Sequence, residues 1–217
     1  MYFKAVQARD VALVQRFLDL GVAVDERAGP SREAATALSI AVGQNDVAMA
    51  RLLLQRGANP NLDVVRVGAH IVPVIVYAGG NPEMLDLLIK SGAKWNVIFG
   101  ETNRYPETLL SSAAHAGNLP VVKLLLAHGA DVNQVIPIQE GKMGSVTLFQ
   151  PDTRTALIAA VENAGRDGNL TMVKFLIGAG ANVNFKSSQG RTALDYAQNT
   201  EVIKVLLDAS LKQGKTQ

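Results

Sequence analysis

Residues 108–133 read TLLSSAAHAGNLPVVKLLLAHGADVN and contain two helical patterns separated by a short turn. Thr108 precedes a run rich in Leu and Ala, so its hydroxyl is well placed to cap the free amides of a first helix. In the second pattern, apolar residues recur at i, i+3 and i+4 spacings from Val121, while Lys123 falls on the outer face. Gly129 suits the left-handed residue that ends a helix. The stretch therefore predicts a helix–turn–helix unit.

The same arrangement recurs along the chain. Its terminal glycine appears at intervals of 36, 35, 37 and 51 residues, at Gly21, Gly57, Gly92, Gly129 and Gly180. The threonine that opens the first helix recurs at Thr36, Thr108, Thr155 and Thr192. Small residues allow the first helices of neighbouring units to approach closely, at Ala41, Ala113, Ala114, Ala159 and Ala160. Such self-similarity predicts stacked repeats, in which each unit covers the apolar flank of the next.

Residues 108–133 resemble the ankyrin-repeat family, whose pattern TPLHxAAxxGHLxIVKLLLxxGADVN they nearly reproduce. The resemblance extends from residue 3 to about residue 211 and implies an all-α repeat solenoid, in which paired helices are joined by β-hairpin fingers along a concave surface. We expect one domain, residues 1–217, with six units at about residues 1–31, 32–67, 68–105, 106–153, 154–189 and 190–211. The family resemblance also implies a module that binds another protein.

Three units depart from the repeat pattern. In the third unit, Pro73 stands where the family usually has an apolar helix residue, so this helix is expected to start late or to be distorted. The fifth unit has about four more residues between its helices than the second, which predicts about one extra helical turn. The last unit lacks about three residues there, as expected for a shortened terminal cap.

The fourth finger, at about residues 134–152, is about 14 residues longer than the fifth. Two β-prone runs, Val135–Ile138 and Ser145–Phe149, flank a glycine-bounded turn and predict an elongated β-hairpin. A two-stranded ribbon has little core to cover its apolar side chains, which would be costly to leave in water. Either a partner covers them, or the ribbon folds back onto neighbouring fingers or is mobile.

The third and fourth fingers are neighbours and carry aromatic and apolar side chains of the kind that concentrate binding energy at interfaces. Charged residues near the fingers and at the ends of the first helices extend this candidate surface. The predicted partner-binding residues are Phe99, Arg104, Tyr105, His115, Ile138, Lys142, Met143, Leu148, Phe149, Arg154, Glu162 and Arg166. The alternative is structural, with fingers packed on each other and solvated helix ends.

The sequence contains no pattern typical of catalysis. There is no cysteine, and the three histidines lie in different units without the spacing of metal ligands. Acidic residues are scattered, and none forms a pair in an apolar setting that would tune a general acid. We therefore expect no catalytic residue, no metal, no cofactor and no enzyme. The enzymatic alternative requires a hidden site in the groove near His115, Glu162 and Arg166.

Charge and hydropathy restrict the class of partner. Lys and Arg number 21 against 19 Asp and Glu, and this net charge of +2 argues against a nucleic-acid-binding surface. The longest apolar runs fall short of the roughly 20 residues that span a membrane. We expect a monomer that binds a protein. Because the first residues lack the pattern of an export leader, we expect a cytoplasmic location, with a periplasmic or exported location as the alternative if a leader has been removed.

Three functions are compatible with these features. The leading hypothesis is a module that recognises, and inhibits, a folded partner through its concave face and fingers. A narrower alternative, by family analogy, is a bacterial immunity or self-protection protein that blocks a toxin or a cell-wall enzyme. A passive scaffold that links two partners is an alternative of another class, and the sequence does not decide among them.

Overall fold

The computed structural model describes residues 1–29, 34–62, 64–67, 70–99, 107–135, 153–167 and 170–214. Within them, helices form six consecutive pairs: α1 (Tyr2–Gln7) and α2 (Val11–Asp19), α3 (Ala37–Gly43) and α4 (Val47–Gln55), α5 (Val74–Tyr77) and α6 (Pro82–Lys90), α7 (Leu109–His115) and α8 (Leu119–Ala127), α9 (Ala156–Asp167) and α10 (Leu170–Gly178), α11 (Ala193–Tyr196) and α12 (Thr200–Gln213). The chain divides into two compact units, Met1–Val97 and Ile98–Gln217, with three pairs in each. The single domain expected from the sequence stays a prediction.

The first helices begin at the threonines that the sequence indicated. The Thr36 hydroxyl accepts a hydrogen bond from the Ser39 backbone N–H at 3.3 Å, and the Ser39 hydroxyl accepts one from the Thr36 N–H at 3.0 Å. Thr108 and Ser111 form the same reciprocal pair. Because each pair satisfies two backbone donors that the helix leaves without partners, the start of the helix is fixed.

The predicted helix-ending glycines are also confirmed. The backbone φ angle of each is between +87° and +93°, at Gly21, Gly57, Gly92, Gly129 and Gly180. Glycine adopts this left-handed conformation without the steric cost of a Cβ atom, so each second helix ends there and the chain turns into the next finger.

Each compact unit has a core between stacked helix pairs. In the first unit, α3 packs on α1 and α4 on α2; in the second, α9 packs on α7 and α12 on α10. Bulky side chains such as Leu53, Leu88 and Leu125 are fully buried between the helices. The alanines singled out in the sequence are buried too, at Ala41, Ala113, Ala114, Ala159 and Ala160. The small side chains of the last four let α7 and α9 approach closely, as the repeat pattern predicted.

The third helix pair departs from its neighbours. Helix α5 begins only after Pro73 and has a single turn, followed by a 3-10 turn at Ala78–Gly80. The late start is confirmed, but the preceding ribbon, in which β1 (Val64–Val67) pairs antiparallel with β2 (His70–Pro73), was not predicted. β-Branched residues favour the extended chain, and Pro73 disfavours a helical residue before it. Residues 70–73 therefore form a strand.

The other two departures are confirmed. Helix α9 has 12 residues, whereas α3 and α7 have 7 each, so the insertion in the fifth unit lengthens the helix. Helix α11 has only four residues, as expected for a shortened final unit. Residues 136–152 lie outside the described residues, and the β-hairpin expected there stays a prediction.

Candidate binding surface

The third finger begins as a short antiparallel ribbon in the second compact unit. Strands β3 (Ile98–Phe99) and β4 (Glu107–Thr108) pair Ile98 with Thr108 and Phe99 with Glu107. Because Thr108 also caps α7, the ribbon is tied to the start of that helix. Ile98 is 49% exposed, although it is a large apolar residue in a paired strand. The ribbon thus presents an apolar side chain to solvent on an ordered base.

The described residues on both sides of the long fourth finger are hydrogen-bonded to the fifth repeat. Before the finger, the Asn133 amide donates to the Gly180 carbonyl at 3.1 Å and accepts from the Asn182 N–H at 2.7 Å. After it, Thr153 and Ser188 exchange hydrogen bonds between backbone N–H and hydroxyl, at 3.2 Å and 2.8 Å. The finger therefore leaves from and returns to fixed positions.

Two of the predicted partner-binding residues contact each other. Arg154 Nη1 lies 2.7 Å from Glu162 Oε2, and their side chains are only 23% and 21% exposed. Arg154 directly precedes the capping residue Thr155, so its side chain runs along two turns of α9 to reach Glu162. Partial burial weakens screening by water, which makes this pair stronger than an ordinary surface ion pair.

His115 lies at the end of α7, beside the start of α9. Its Nδ1 is 3.4 Å from the Ala159 carbonyl oxygen, and the ring is half-buried. This contact is a structural one between adjacent first helices. The hidden enzymatic site considered above would need His115 and Glu162 to act together, but the Glu162 carboxylate is paired with Arg154. The side chain of Arg166 lies outside the described residues.

The part of the chain that the structure describes contains no group of three or more His, Cys, Asp or Glu side chains placed to hold a metal ion. Within that part, no helix combines the length and apolar character needed to cross a membrane.

Four predicted site residues have described side chains, and all lie in the second compact unit: Phe99, His115, Arg154 and Glu162. The other seven positions of the third and fourth fingers lie outside the described residues, namely Arg104, Tyr105, Ile138, Lys142, Met143, Leu148 and Phe149. The structure thus brings Arg154 and Glu162 together and leaves the predicted finger contacts as predictions.

Sequence reasoning missed one feature of this surface. Residues 154–157 and 191–194 both read Arg-Thr-Ala-Leu. The Arg191 guanidinium lies over the Tyr196 ring, 5.8 Å from its centroid. The two arginines thus occupy equivalent positions, one paired with a carboxylate and the other with an aromatic face. The repeated tetrapeptide is the signal that identifies them.

The sequence matches the family described as "Ankyrin repeat" over residues 35–63 and 107–136, and that described as "Ankyrin repeats (3 copies)" over residues 136–216. This chain belongs to the ankyrin-repeat family. Its relatives include the solved ankyrin repeat protein EF0377, at 31% identity and a TM-score of 0.66, covering 95% of this chain and 96% of that one. The ankyrin repeat domain from Acinetobacter baumannii AYE is similar at 27% identity and a TM-score of 0.71, covering 96% of both chains.

Longer ankyrin-repeat proteins are similar to this chain over part of their length. The B-cell lymphoma 3 protein homolog of Mus musculus is 31% identical over 171 residues, which are 79% of this chain and 34% of that protein. The chain spans between 8% and 34% of the length of such curated relatives. The expected all-α repeat solenoid is confirmed by the ankyrin structures, and ankyrin repeats are generally protein–protein interaction modules that typically carry no catalysis.

Proposed function

We propose that this ankyrin-repeat chain recognises and inhibits a folded protein through the third and fourth fingers and the adjoining first helices of residues 98–217. The observation that carries the proposal is the anchoring of the fourth finger on both sides, at Asn133 and Thr153. Because the residues that flank the finger are already held in place, they lose little conformational entropy when a partner binds beside them, so more of their contact energy is available for affinity.

The neighbouring third finger supplies an apolar anchor. Ile98 is exposed on the β3–β4 ribbon, whose partner strand ends at the helix cap Thr108. Apolar side chains on an ordered base are typical of the central positions that dominate binding energy. The Arg154–Glu162 pair lies at the beginning of the adjacent repeat. It supplies two charged side chains whose positions are fixed before a partner binds.

The proposal is tested by shortening the fourth finger. A partner is first isolated by affinity capture and mass spectrometry, and its dissociation constant is measured against the wild-type chain and a variant in which a short glycine-containing turn replaces residues 137–149. Asn133 and Thr153 remain in place, so the anchoring contacts are retained. We expect affinity to fall by about tenfold or more, and Ile98→Asp to have an effect of similar size.

Lys90→Ala is the matched control, because Lys90 is exposed at the end of α6, outside residues 98–217, and pairs only with Asp86 of the same helix among the ion pairs of the described residues. This variant should bind as the wild type does. Unchanged affinity of the shortened chain would remove the fourth finger from the proposal. Unchanged affinity of both the shortened chain and Ile98→Asp would remove this surface altogether.

The inhibitory part of the proposal needs a separate measurement. If the partner is an enzyme, such as a toxin or a cell-wall enzyme, its activity should fall on mixing with the wild-type chain and recover with the shortened one. Binding without any loss of activity would exclude inhibition and, with it, a role in immunity or self-protection.

A passive scaffold is the second candidate, and the division of the chain into two compact units favours it. Each unit has its own helix pairs and its own two-stranded ribbon. A scaffold predicts two partners that bind at the same time without a change in either activity. Ile98→Asp should then weaken the binding of one partner and leave the binding of the other unchanged. Competition between the two partners for the chain would exclude this function.

A further inference from the structure

Two exposed lysines occupy the same position in consecutive repeats of the second compact unit. Lys123 of α8 and Lys174 of α10 each lie six residues before the glycine at which the chain leaves its helix. The Lys123 ammonium lies over the Phe175 ring, 5.5 Å from its centroid, so α8 and α10 are neighbours. The two lysines therefore project from adjacent helices in the interior of the repeat stack.

No carboxylate balances the charge of these lysines locally. Neither α8 nor α10 contains an acidic residue, and neither lysine forms an ion pair with another described residue. In the first unit the same position of the repeat is Arg51 of α4, which pairs with Glu83 of α6 at 3.2 Å. The second helices of the first unit thus pair their charges with each other, whereas α8 and α10 present positive charge alone.

Apolar side chains lie beside the two lysines. All nine residues of α8 except Lys123 are apolar, and in α10 only Thr171 and Lys174 carry polar side chains. Leu124 and Phe175, next to the lysines, are half-buried and not fully covered. A helix that is apolar on nearly every side is typical of one with protein packed around it. We name Lys123, Leu124, Lys174 and Phe175 the α8–α10 face.

We propose that the α8–α10 face binds an acidic amphipathic helix of a partner protein. Two carboxylates of that helix pair with Lys123 and Lys174, and the apolar residues between them pack on Leu124 and Phe175. Complementary charge fixes the orientation of the bound helix, and apolar contact adds to its affinity. This surface goes beyond the proposed function, which uses the fingers and the first helices.

The spacing of the lysines favours a helix as the occupant. Axes of packed helices are about 8 to 10 Å apart, so the backbones of Lys123 and Lys174 are separated by about that distance. Residues seven positions apart in a helix lie on one side of it, about 10 Å apart along its axis. In a β-strand the same distance is about three residues, whose first and last side chains point to opposite faces.

The site does not extend to the last helix. Lys204 holds the same position in α12 and is exposed, but Glu201 and Asp208 lie about one turn before and after it. These carboxylates offset its charge, so the site consists of α8 and α10 alone. An anionic lipid surface is a poorer occupant, because two lysines by themselves attract such a surface only weakly.

Fluorescence anisotropy of the 217-residue chain with two synthetic peptides, each stapled as a helix, tests the proposal. The matched peptide has two glutamates seven positions apart with two leucines between them on the same side. The second peptide has the same composition, but its glutamates are five positions apart and point to different sides. At low salt, where exposed ion pairs are least screened, the matched peptide should bind at least about threefold more tightly.

Lys123→Gln combined with Lys174→Gln should weaken binding of the matched peptide about tenfold, since both ion pairs are lost. Arg16→Gln combined with Arg51→Gln is the matched control, because it removes two exposed positive charges from α2 and α4. This control should bind as the wild type does. Circular dichroism checks folding, and if the lysine double variant loses helical signal, Lys174→Gln replaces it, with an expected loss of about threefold.

The proposal is wrong if the matched peptide does not bind, if both peptides bind equally well, or if the arginine control weakens binding as much as the lysine variant. Vesicles that contain phosphatidylserine are a further probe. They should not sediment the wild-type chain, and sedimentation that the lysine variant abolishes would assign the face to an anionic membrane and overturn the proposal.

Discussion

Arg154 and Glu162 form a 2.7 Å ion pair along α9, and each side chain is about one-fifth exposed. The pair links the residue before the helix cap to the second turn of the same helix, at the part of the chain that we propose binds a partner. An ion pair in this position can serve stability, recognition or both. Mutations separate these roles, because stability is measured without a partner.

We expect Arg154→Met to lower the free energy of unfolding by about 1 to 2 kcal/mol, since it leaves the half-buried Glu162 carboxylate without its counter-charge. Glu162→Gln should cost less, and the double variant should recover part of the loss. Urea unfolding of all four proteins forms a double-mutant cycle, with an expected coupling of about 1 kcal/mol. Additive effects of the two mutations would show that the ion pair contributes no stability.

The helix-ending glycines allow a sharp test of backbone conformation. Gly129 has φ +88°, so Gly129→Ala should destabilise the chain by about 1 to 2 kcal/mol even though its new Cβ would meet no neighbour. Gly43 is the last residue of α3, has no left-handed φ angle and also has open space around an added Cβ. Gly43→Ala should therefore stabilise the chain by about 0.5 to 1 kcal/mol. Thermal or urea unfolding that gives both variants the same sign would contradict this account.

Tyr2 predicts a loss of stability in alkali. Burial, with smaller contributions from the Glu26 and Asp25 carboxylates, raises the pKa of Tyr2 from 10.0 to about 12. The folded chain thus keeps the phenol proton at a pH where the unfolded chain has lost it, so stability is complete below pH 10 and falls as the pH rises towards 12. Between pH 10 and pH 11 the loss should reach about 1 kcal/mol.

Tyr2→Phe should remove this alkaline loss, and the comparison with wild type at each pH isolates it from other groups that titrate. The Tyr2 hydroxyl is buried and has no hydrogen-bond partner among the described residues, so its removal should leave stability at pH 7 unchanged or slightly higher. If the two proteins lose equal stability between pH 10 and pH 11, the raised pKa is wrong.

Asp195 predicts the opposite dependence, in acid. Its carboxylate accepts hydrogen bonds from the Thr192 N–H at 2.6 Å and the Thr192 hydroxyl at 2.9 Å. These two hydrogen bonds lower the pKa of Asp195 below its usual 3.8, with the backbone hydrogen bond contributing most. The positive charge of Arg191 lowers this pKa further. Because the folded chain favours the charged carboxylate, Asp195 stabilises the fold at pH values above the pKa that it has in the unfolded chain. This stabilisation is lost as the pH falls through the lower pKa of Asp195 in the folded chain.

An NMR titration of the Asp195 carboxyl checks this directly. Thr192→Val removes the hydroxyl donor and keeps the backbone donor, so the titration midpoint should move part of the way towards 3.8. Thr200→Val is the control, because Thr200 is the first residue of α12 and Asn199 provides that cap. A midpoint for Asp195 that is the same in wild type and Thr192→Val would show that the hydroxyl has no role.

The repeat could be read from the sequence because its signals are local. A threonine cap, apolar residues at i, i+3 and i+4 spacings and a glycine that tolerates positive φ act within about ten residues, so Thr108, Leu125 and Gly129 each indicate their own place in a helix. The longer α9 and the shorter α11 followed from counting residues between such signals.

The β1–β2 ribbon was missed because its signal is ambiguous. Residues 71–78 are apolar apart from Pro73, and such a run fits a buried helix or a strand equally well. The pairing of β2 with Val64–Val67 added to the local preference of the residues before Pro73 for an extended conformation. The helix therefore begins after the proline instead of before it.

The sequence by itself determined the repeat architecture, the caps and the positions where helices end, because those depend on conformational preferences of neighbouring residues. Tertiary structure alone decided that Arg154 pairs with Glu162 and that Asn133 and Thr153 hold both ends of the fourth finger to the next repeat. These features depend on which side chains the stacking brings within a few ångströms of each other, and residues eight to fifty positions apart carry no local signal of such contact.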